Sequence, residues 1–135
     1  MDNLNWSRAD VLNGTFSIAL HPVTRLQMIA AEDIGVIAAE AFNHPGDYIG
    51  RGIEIAGDEM TMLQAAATFS KVIGRTVKFV EQPIEAVEAF APDMASTFRY
   101  FNQHTNQANI PELRRQHPAL MTLEQWLRFA NWQIT

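Results

Sequence analysis

The chain has 135 residues, of which 47% are hydrophobic and 19% are charged, and its formal net charge is −5. This composition predicts an ordinary folded domain and excludes an intrinsically disordered chain. The chain contains no cysteine, which excludes disulfides, thiol catalysis and thiolate metal sites. The basic residues are scattered apart from the pair Arg114-Arg115, so we expect no nucleic-acid partner.

Two features of the sequence argue against a membrane. The N-terminus lacks a basic segment followed by an apolar one, which is the pattern of a secretory signal. No apolar run approaches the roughly 20 residues that a membrane-spanning helix needs. We therefore expect a cytoplasmic protein with no membrane partner.

The first third of the chain alternates between apolar and other residues before it becomes helical. Residues 16–20 are predicted to form a short strand, and residues 26–30 show a weaker alternation of the same kind. A helix is predicted to follow, with Asp33 as its N-cap and His44-Pro45-Gly46 as its stop. Glu32 and Asp33 could also form a functional carboxylate pair, although capping is the favoured interpretation.

The centre of the chain, Arg51–Pro83, has the pattern of a strand, a helix and a second strand. Residues 53–55 and residues 77–80 both alternate between apolar and other residues. A strand–helix–strand unit of this length is typical of a βαβ crossover, whose two strands are parallel and lie in one sheet. We therefore predict an α/β fold with some α+β character, in which a short βαβ sheet is flanked by helices.

The helix of this central unit has clear boundary signals. Thr61 and Gln64 have the spacing of a capping box, and Gly74 stands where a helix commonly ends. Its sheet-facing stripe is predicted to comprise Leu63, Ala66, Ala67, Ser70 and Ile73.

The rest of the chain is predicted to be helical. Helices are expected to begin at Pro83, at Pro92-Asp93 and at Asn109-Ile110-Pro111. Thr122 and Gln125 form a second capping box at the start of the last helix. The inner face of that helix is predicted to comprise Leu123, Trp126, Leu127 and Ala130.

A search for chemistry finds no complete catalytic or cofactor motif. The glycine-rich phosphate loops GxGxxG and GxxxxGK are absent, as are the nucleophile elbow GxSxG and the pair Tyr-x-x-x-Lys. The four histidines, at positions 21, 44, 104 and 117, show no metal-binding spacing. Tyr100 and His104 could meet on one helix face as a proton relay, although an exposed polar edge is the favoured interpretation. We expect no catalytic, cofactor-binding or metal-binding residue in this chain.

The aromatic segment from Met94 to Phe101 has two interpretations. Met94, Phe98 and Phe101 recur at helical spacing, which is most often a core stripe. The same segment is rich in methionine and aromatic residues and follows Pro92, so it could also cover a small apolar ligand.

Three blocks of the sequence resemble the NmrA-like family, a group of atypical short-chain dehydrogenases/reductases. The blocks are AAEDIGVIAAEAF, YIGRGIEIAGDEMTMLQAAATFSKVIGRTVKFVEQP and NIPELRRQHPALMTLEQWLR. The opening MDNL is similar to the segment that follows the sixth sheet strand in that family. The blocks occur in the family's order and the match covers nearly the whole chain.

The resemblance implies that residues 1–135 form a single C-terminal, substrate-side domain of a Rossmann-type protein. Family members are about twice as long, and their first half carries the nucleotide-binding loop, which this sequence lacks. NAD(P)H is therefore implied only by the family. The substrate-pocket residues that the resemblance implies are Asn3, Leu4, Trp6, Met94, Phe98 and Phe101.

The resemblance leaves three functions open. The first is a truncated or stand-alone domain that binds a ligand or self-associates and is not catalytic. The second is the substrate-side part of an NAD(P)H-dependent oxidoreductase whose other half is a separate chain, and the third is part of an NAD(P)-sensing transcriptional regulator. Strands taken from a larger sheet would leave open edges and an apolar face, so we also expect a homodimer.

Overall fold

The structure is a computed structural model that describes residues 1–132 of the chain. It is a mixed α/β fold with two short sheets surrounded by helices. The elements in chain order are a 3-10 helix (Asp2–Ser7), α1 (Arg8–Leu12), β1 (Thr15–Ile18), β2 (Arg25–Met28), α2 (Ala31–Asn43), α3 (Pro45–Tyr48), β3 (Asp58–Thr61), α4 (Met62–Ile73), β4 (Lys78–Glu81), α5 (Ile84–Glu88), α6 (Pro92–Gln103), α7 (Ile110–Gln116) and α8 (Leu123–Phe129).

Each of the two sheets has two strands. β1 and β4 are parallel, with Phe16 opposite Phe79. β2 and β3 are antiparallel, with Leu26 opposite Met60. The mixed α/β class and the strands predicted near residues 16–20, 26–30 and 77–80 are therefore confirmed.

The βαβ crossover predicted for Arg51–Pro83 is wrong in its strand pairing. Residues 53–55 form no strand, and the strand before α4 is β3, which begins at Asp58. β3 and β4 lie in different sheets, so they do not pair with each other. The reason lies in packing, because Ile55 packs against the small core cluster of Ile37, Leu113 and Leu120 instead of extending a sheet.

The boundaries of α4 are as predicted. The Thr61 hydroxyl oxygen accepts the Gln64 backbone N–H at 3.2 Å, and the Gln64 side chain accepts the Thr61 N–H at 2.9 Å. Gly74 follows the last turn with φ of 79°, the left-handed conformation that glycine adopts without strain. The second capping box, Thr122 with Gln125, is also confirmed.

The predicted buried stripe of α4 is displaced by about one position. Leu63 is 52% exposed, whereas its neighbour Met62 is buried. Apolar or small residues occur on nearly every side of this helix, so its periodicity did not identify the inner face. The buried residues of α4 are Met62, Ala65, Ala66, Phe69, Val72 and Ile73.

The main core lies between α4, α8 and the parallel sheet. Phe69 of α4 stands edge-on to Phe16 of β1, with ring centroids 5.0 Å apart. Its ring also stacks on Trp132 at 5.5 Å. The inner face of α8 supplies Leu123, Trp126 and Leu127, all fully buried, as predicted.

Asp33 is not the N-cap of α2, which begins two residues earlier. The Asp2 carboxylate instead accepts the N–H of Ala31, the first residue of α2, at 2.9 Å. Asp33 is buried and accepts the Met121 N–H at 2.9 Å, so it ties α2 to the segment before α8. Asp33 therefore does not cap α2. It also forms no carboxylate site with Glu32, because Asp33 is buried against Met121 whereas Glu32 is exposed.

No helix within residues 1–132 is both long enough and apolar enough to cross a membrane.

Candidate functional site

The best candidate site is a cavity of about 510 Å³ at the carboxyl ends of the two parallel strands. In open α/β sheets, ligands commonly bind outside the carboxyl ends of parallel strands. The walls come from the segment after β1, from the end of β4 and the start of α5, and from one face of α6. The lining residues are Ala19, His21, Glu81, Gln82, Pro83, Ile84, Glu85, Arg99, Asn102 and Gln103. We call this space the strand-end cavity.

His21 and Glu81 are in hydrogen-bond contact at the wall of the strand-end cavity. The His21 Nδ1 lies 2.6 Å from the Glu81 carboxylate, and both side chains are about half exposed. An ionised carboxylate only accepts hydrogen bonds, so the Nδ1 N–H of His21 is the donor in this contact. The pair can therefore hold a proton or a hydrogen-bonding group of a ligand.

Asn102 joins α6 to the segment after β1. Its side-chain oxygen accepts the His21 backbone N–H at 2.9 Å and the Thr24 hydroxyl at 2.7 Å. Its side-chain nitrogen donates to the Ala19 carbonyl at 3.3 Å. Because these three bonds connect opposite walls, Asn102 fixes the width of the strand-end cavity.

Arg99 lines the strand-end cavity, but its charge is already paired. Two nitrogens of its guanidinium donate to the two carboxylate oxygens of Glu88, at 3.1 and 2.6 Å. These hydrogen bonds lower the pKa of Glu88 and raise the pKa of Arg99. The other charged groups of the lining are the carboxylates of Glu81 and Glu85, so the cavity has no surplus of positive charge.

Three of the six predicted pocket residues lie near the N-terminus, in the 3-10 helix. Leu4 packs against the main core. Asn3 is exposed, and Trp6 is 74% exposed. None of the three lines the strand-end cavity.

The other three lie on the inner face of α6. Phe98 and Phe101 pack against the main core, while Met94 and Phe98 pack against a smaller cluster around Val87. The strand-end cavity is lined by a different face of the same helix, which carries Arg99. Contact of the six residues with a ligand stays a prediction.

Tyr100 and His104 do not form the side-chain hydrogen bond that a proton relay between them would need. The two rings stack with centroids 4.3 Å apart and an interplanar angle of 13°. The His104 Nδ1 lies 3.0 Å from the Tyr100 backbone carbonyl. No group of three His, Asp or Glu side chains among residues 1–132 is placed to hold a metal ion.

Sequence reasoning missed most of the residues that line the strand-end cavity. Two signals could have found them. Glu81 stands at the carboxyl end of a predicted strand, where ligands commonly bind. Arg99, Asn102 and Gln103 are three and four positions apart, so they share one face of the predicted helix.

The chain matches the NmrA-like family over residues 7–127. It belongs to that family. Among solved structures it is similar to a nucleoside-diphosphate-sugar epimerase from Staphylococcus aureus, with a TM-score of 0.73 and 17% identity. That match covers 94% of this chain and 48% of the epimerase.

A second similar structure is a double mutant of NmrA, with a TM-score of 0.63 and 18% identity. It covers 84% of this chain and 42% of the NmrA chain. The chain thus spans about half the length of the solved proteins that it matches. At these identities the structural likeness shows the shared Rossmann-like fold alone.

The strand-end cavity does not fit the pyrophosphate of a dinucleotide. Such a group is normally held by a glycine-rich turn at a helix N-terminus and by free positive charge. Here Glu81 and Glu85 line the cavity, and the guanidinium of Arg99 is bound to Glu88. No catalytic step through a nicotinamide follows from these residues.

Proposed function

We propose that this chain is a ligand-binding, substrate-side portion of the NmrA-like architecture, and that it acts without a dinucleotide site of its own. The observation that carries the proposal is the strand-end cavity, which lies where α/β proteins place their ligands. Its volume of about 510 Å³ is within the range typical of small-molecule sites.

The ligand is an uncharged polar molecule, such as a polyol or a carbonyl compound. Side-chain amides of Gln82, Asn102 and Gln103 and the His21–Glu81 pair line the cavity, so both donors and acceptors are available. Ile84 and Pro83 add an apolar surface for the carbon skeleton of the ligand. This lining favours a polar ligand over the apolar one that the aromatic stripe of α6 suggested.

A phosphorylated ligand is disfavoured by the charges around the cavity. The Staphylococcus aureus relative is described as acting on nucleoside-diphosphate sugars, which carry two phosphates. Glu81 and Glu85 would repel these phosphates, and Arg99 could bind them only by leaving Glu88. We therefore propose that the ligand of this chain carries no phosphate.

The His21–Glu81 contact supports a second candidate, the substrate-side part of an NAD(P)H-dependent oxidoreductase. A histidine oriented by a carboxylate is a common general acid or base. In this second candidate another polypeptide would supply the nicotinamide, and His21 would transfer a proton to or from the substrate. The alternative of an NAD(P)-sensing regulator has no observation among the described residues that favours it.

Nuclear magnetic resonance titration of the uniformly ¹⁵N-labelled chain tests the proposal. D-Glucose and D-glucose 1-phosphate form a matched pair, because they differ only by the phosphate. We expect glucose to shift the amide signals of residues 81–85 and 99–103, and glucose 1-phosphate to shift them less at equal concentration. Stronger binding of glucose 1-phosphate, or no response of these amides to glucose, would contradict the proposed ligand class.

NADPH serves as the third titrant, because it tests whether this chain alone has a dinucleotide site. We expect no saturable NADPH binding to the isolated chain. Micromolar binding of NADPH would refute the proposal and favour a chain with its own dinucleotide site.

A further inference from the structure

A second cavity, of about 310 Å³, lies on the side of the molecule formed by α2, α3 and α7. We call it the α2–α7 cavity. Its floor is apolar and comes from Ile37, Ile55 and Leu113, which pack in a small core cluster of their own. Its polar wall comes from Glu40 and His117 and from the segment around Tyr48. It shares no lining residue with the strand-end cavity.

Glu40 is held in this cavity by a buried histidine. The Nδ1 of His117 lies 3.2 Å from the Glu40 carboxylate, and the His117 side chain is only 8% exposed. Glu40 is 41% exposed, so its carboxylate is positioned by His117 and remains accessible to a ligand.

Two carboxylates, those of Glu40 and Asp47, act on Tyr48. Loss of hydration, the charge and hydrogen bonding of Glu40 and the charge of Asp47 raise the pKa of Tyr48. All three residues line the α2–α7 cavity. The phenol therefore stands in a region of negative potential, where its ring face can attract a cation.

The one arginine that lines this cavity, Arg51, is exposed and has no carboxylate within 4.0 Å among residues 1–132. The two carboxylates of the lining, Glu40 and Asp47, outnumber this single arginine. The lining thus carries more carboxylates than guanidinium groups, and an apolar floor lies beneath them.

From this arrangement we infer that the α2–α7 cavity binds a primary ammonium group carried on a short apolar chain. The ammonium is placed between Glu40 and Asp47 and against the ring of Tyr48, and the carbon chain covers Ile37 and Leu113. Carboxylates and an aromatic face supply the contacts that a cation prefers.

The probes for this site are n-butylammonium, 1-butanol and butanoate, which have similar carbon chains and carry positive, no and negative charge. Amide signals of residues 40, 48, 51 and 117 are followed in the full chain by nuclear magnetic resonance. We expect butylammonium to shift them with a dissociation constant on the order of 1–10 mM, as suits so small a ligand. We expect butanol to bind at least about threefold more weakly.

Substitution of single carboxylates distinguishes binding in the α2–α7 cavity from binding to surface charge in general. Glu40→Gln and Asp47→Asn should each weaken butylammonium binding by about three- to tenfold. Glu32 lies on the same helix as Glu40 but outside the cavity, so Glu32→Gln should leave butylammonium binding unchanged. Asp47 is exposed, so its variant provides a test even if Glu40→Gln disturbs the fold.

Three outcomes would overturn the inference. The first is tighter binding of butanoate, through Arg51, than of butylammonium. The second is equal affinity for butylammonium and butanol. The third is an equal loss of butylammonium affinity in Glu32→Gln and Asp47→Asn. None of these results bears on glucose binding in the strand-end cavity, so the two sites are tested separately.

Discussion

Arg99 lies in the wall of the strand-end cavity, yet both of its guanidinium contacts are directed to Glu88, which does not line that cavity. Removing the carboxylate should free this cation for a ligand. We predict that Glu88→Gln raises the affinity of the cavity for inorganic pyrophosphate by about two- to fivefold, since exposed ion pairs are weak. The measurement is a pyrophosphate titration that follows the amide signal of Arg99.

Glu112→Gln is the matched control for that prediction. It frees Arg115 from an equivalent two-contact ion pair, but neither residue lines the strand-end cavity. If both variants respond equally at Arg99, pyrophosphate is binding to surface charge and the role assigned to Glu88 is wrong.

The same ion pair has a predicted dependence on pH. The hydrogen bonds from Arg99 lower the pKa of Glu88 from its ordinary value of 4.5. A lowered folded-state pKa means that the stabilisation is present above pH 4.5 and is lost as the pH falls through the lowered value. We expect wild-type chain to lose more stability than Glu88→Gln between pH 5 and pH 3, measured by urea unfolding; parallel losses would contradict it.

Residues that act locally could be predicted from the sequence, and residues that act across the fold could not. Thr61 and Thr122 bond to backbone only three positions away, so their spacing identifies them. His21 and Glu81 are 60 positions apart, and only the parallel pairing of β1 with β4 brings them together. The sequence predicts Asp33 as a local cap, whereas its partner Met121 is 88 positions away.

Among the helices, α4 offers a direct test of capping. Thr61→Ala removes the acceptor for the Gln64 N–H and should lower the free energy of unfolding by about 1 kcal/mol. Thr68→Ala is the control, because the Thr68 hydroxyl donates only to a carbonyl within the same helix, that of Gln64. Urea denaturation should show a loss for the first variant and, because alanine has the higher helix propensity, no loss or a small gain for the second; equal losses would argue against the cap.

The close packing of the segment before β3 against Met121 requires glycine at position 57. A Cβ added at Gly57 would lie 2.5 Å from the Met121 carbonyl oxygen, a backbone atom that cannot simply rotate away. Arg114 donates hydrogen bonds to the carbonyls of Gly57 and Leu120, so both segments are tied together. We predict that Gly57→Ala lowers the free energy of unfolding by about 1–3 kcal/mol.

Gly35 provides the control for this substitution. It lies inside α2, and a Cβ added there would meet nothing within 4 Å beyond its chain neighbours and the backbone of its own helix. Gly35→Ala should therefore raise the free energy of unfolding by about 0.5–1 kcal/mol. Should thermal unfolding show Gly57→Ala to be as harmless as Gly35→Ala, the close approach to Met121 would be contradicted.

Most helices could be predicted from the sequence, but the pairing of strands could not. Caps and prolines mark where helices begin, and α4, α6, α7 and α8 follow those marks. β3 cannot be predicted because its residues Asp58–Thr61 show no alternation of apolar and polar side chains, which agrees with the half-buried position of all four. Residues 53–55 have the alternation of a strand but no neighbouring strand to pair with. Whether a neighbouring strand is present is a property of the whole fold.

The outer side of α2 is the strongest candidate for contact between copies of the whole molecule. Ile34 is 44% exposed and Phe42 is 85% exposed. At about 100° per residue, these two share an arc with Gly35, Ala38 and Ala39 that carries no charge. The buried side of the helix faces another way, toward Ile37.

The homodimer expected from open sheet edges and an apolar face stays a prediction. As its apolar face we propose α2, paired against α2 of a second copy about a two-fold axis. The small residues of the arc allow close approach of two helices, and each copy offers the same surface to the other. We expect Phe42→Lys to weaken the dimer in light scattering, and Phe90→Lys to leave it unchanged, since Phe90 is also exposed but lies outside α2. A monomeric wild-type chain at high micromolar concentration would contradict the prediction.

The most direct test of the ligand-binding proposal is a crystal structure of the chain soaked separately with D-glucose and with NADPH. The proposal predicts glucose between the His21–Glu81 pair and the Asn102 face of α6, and no ordered NADPH. A dinucleotide whose pyrophosphate is held by backbone amides of this chain would contradict it.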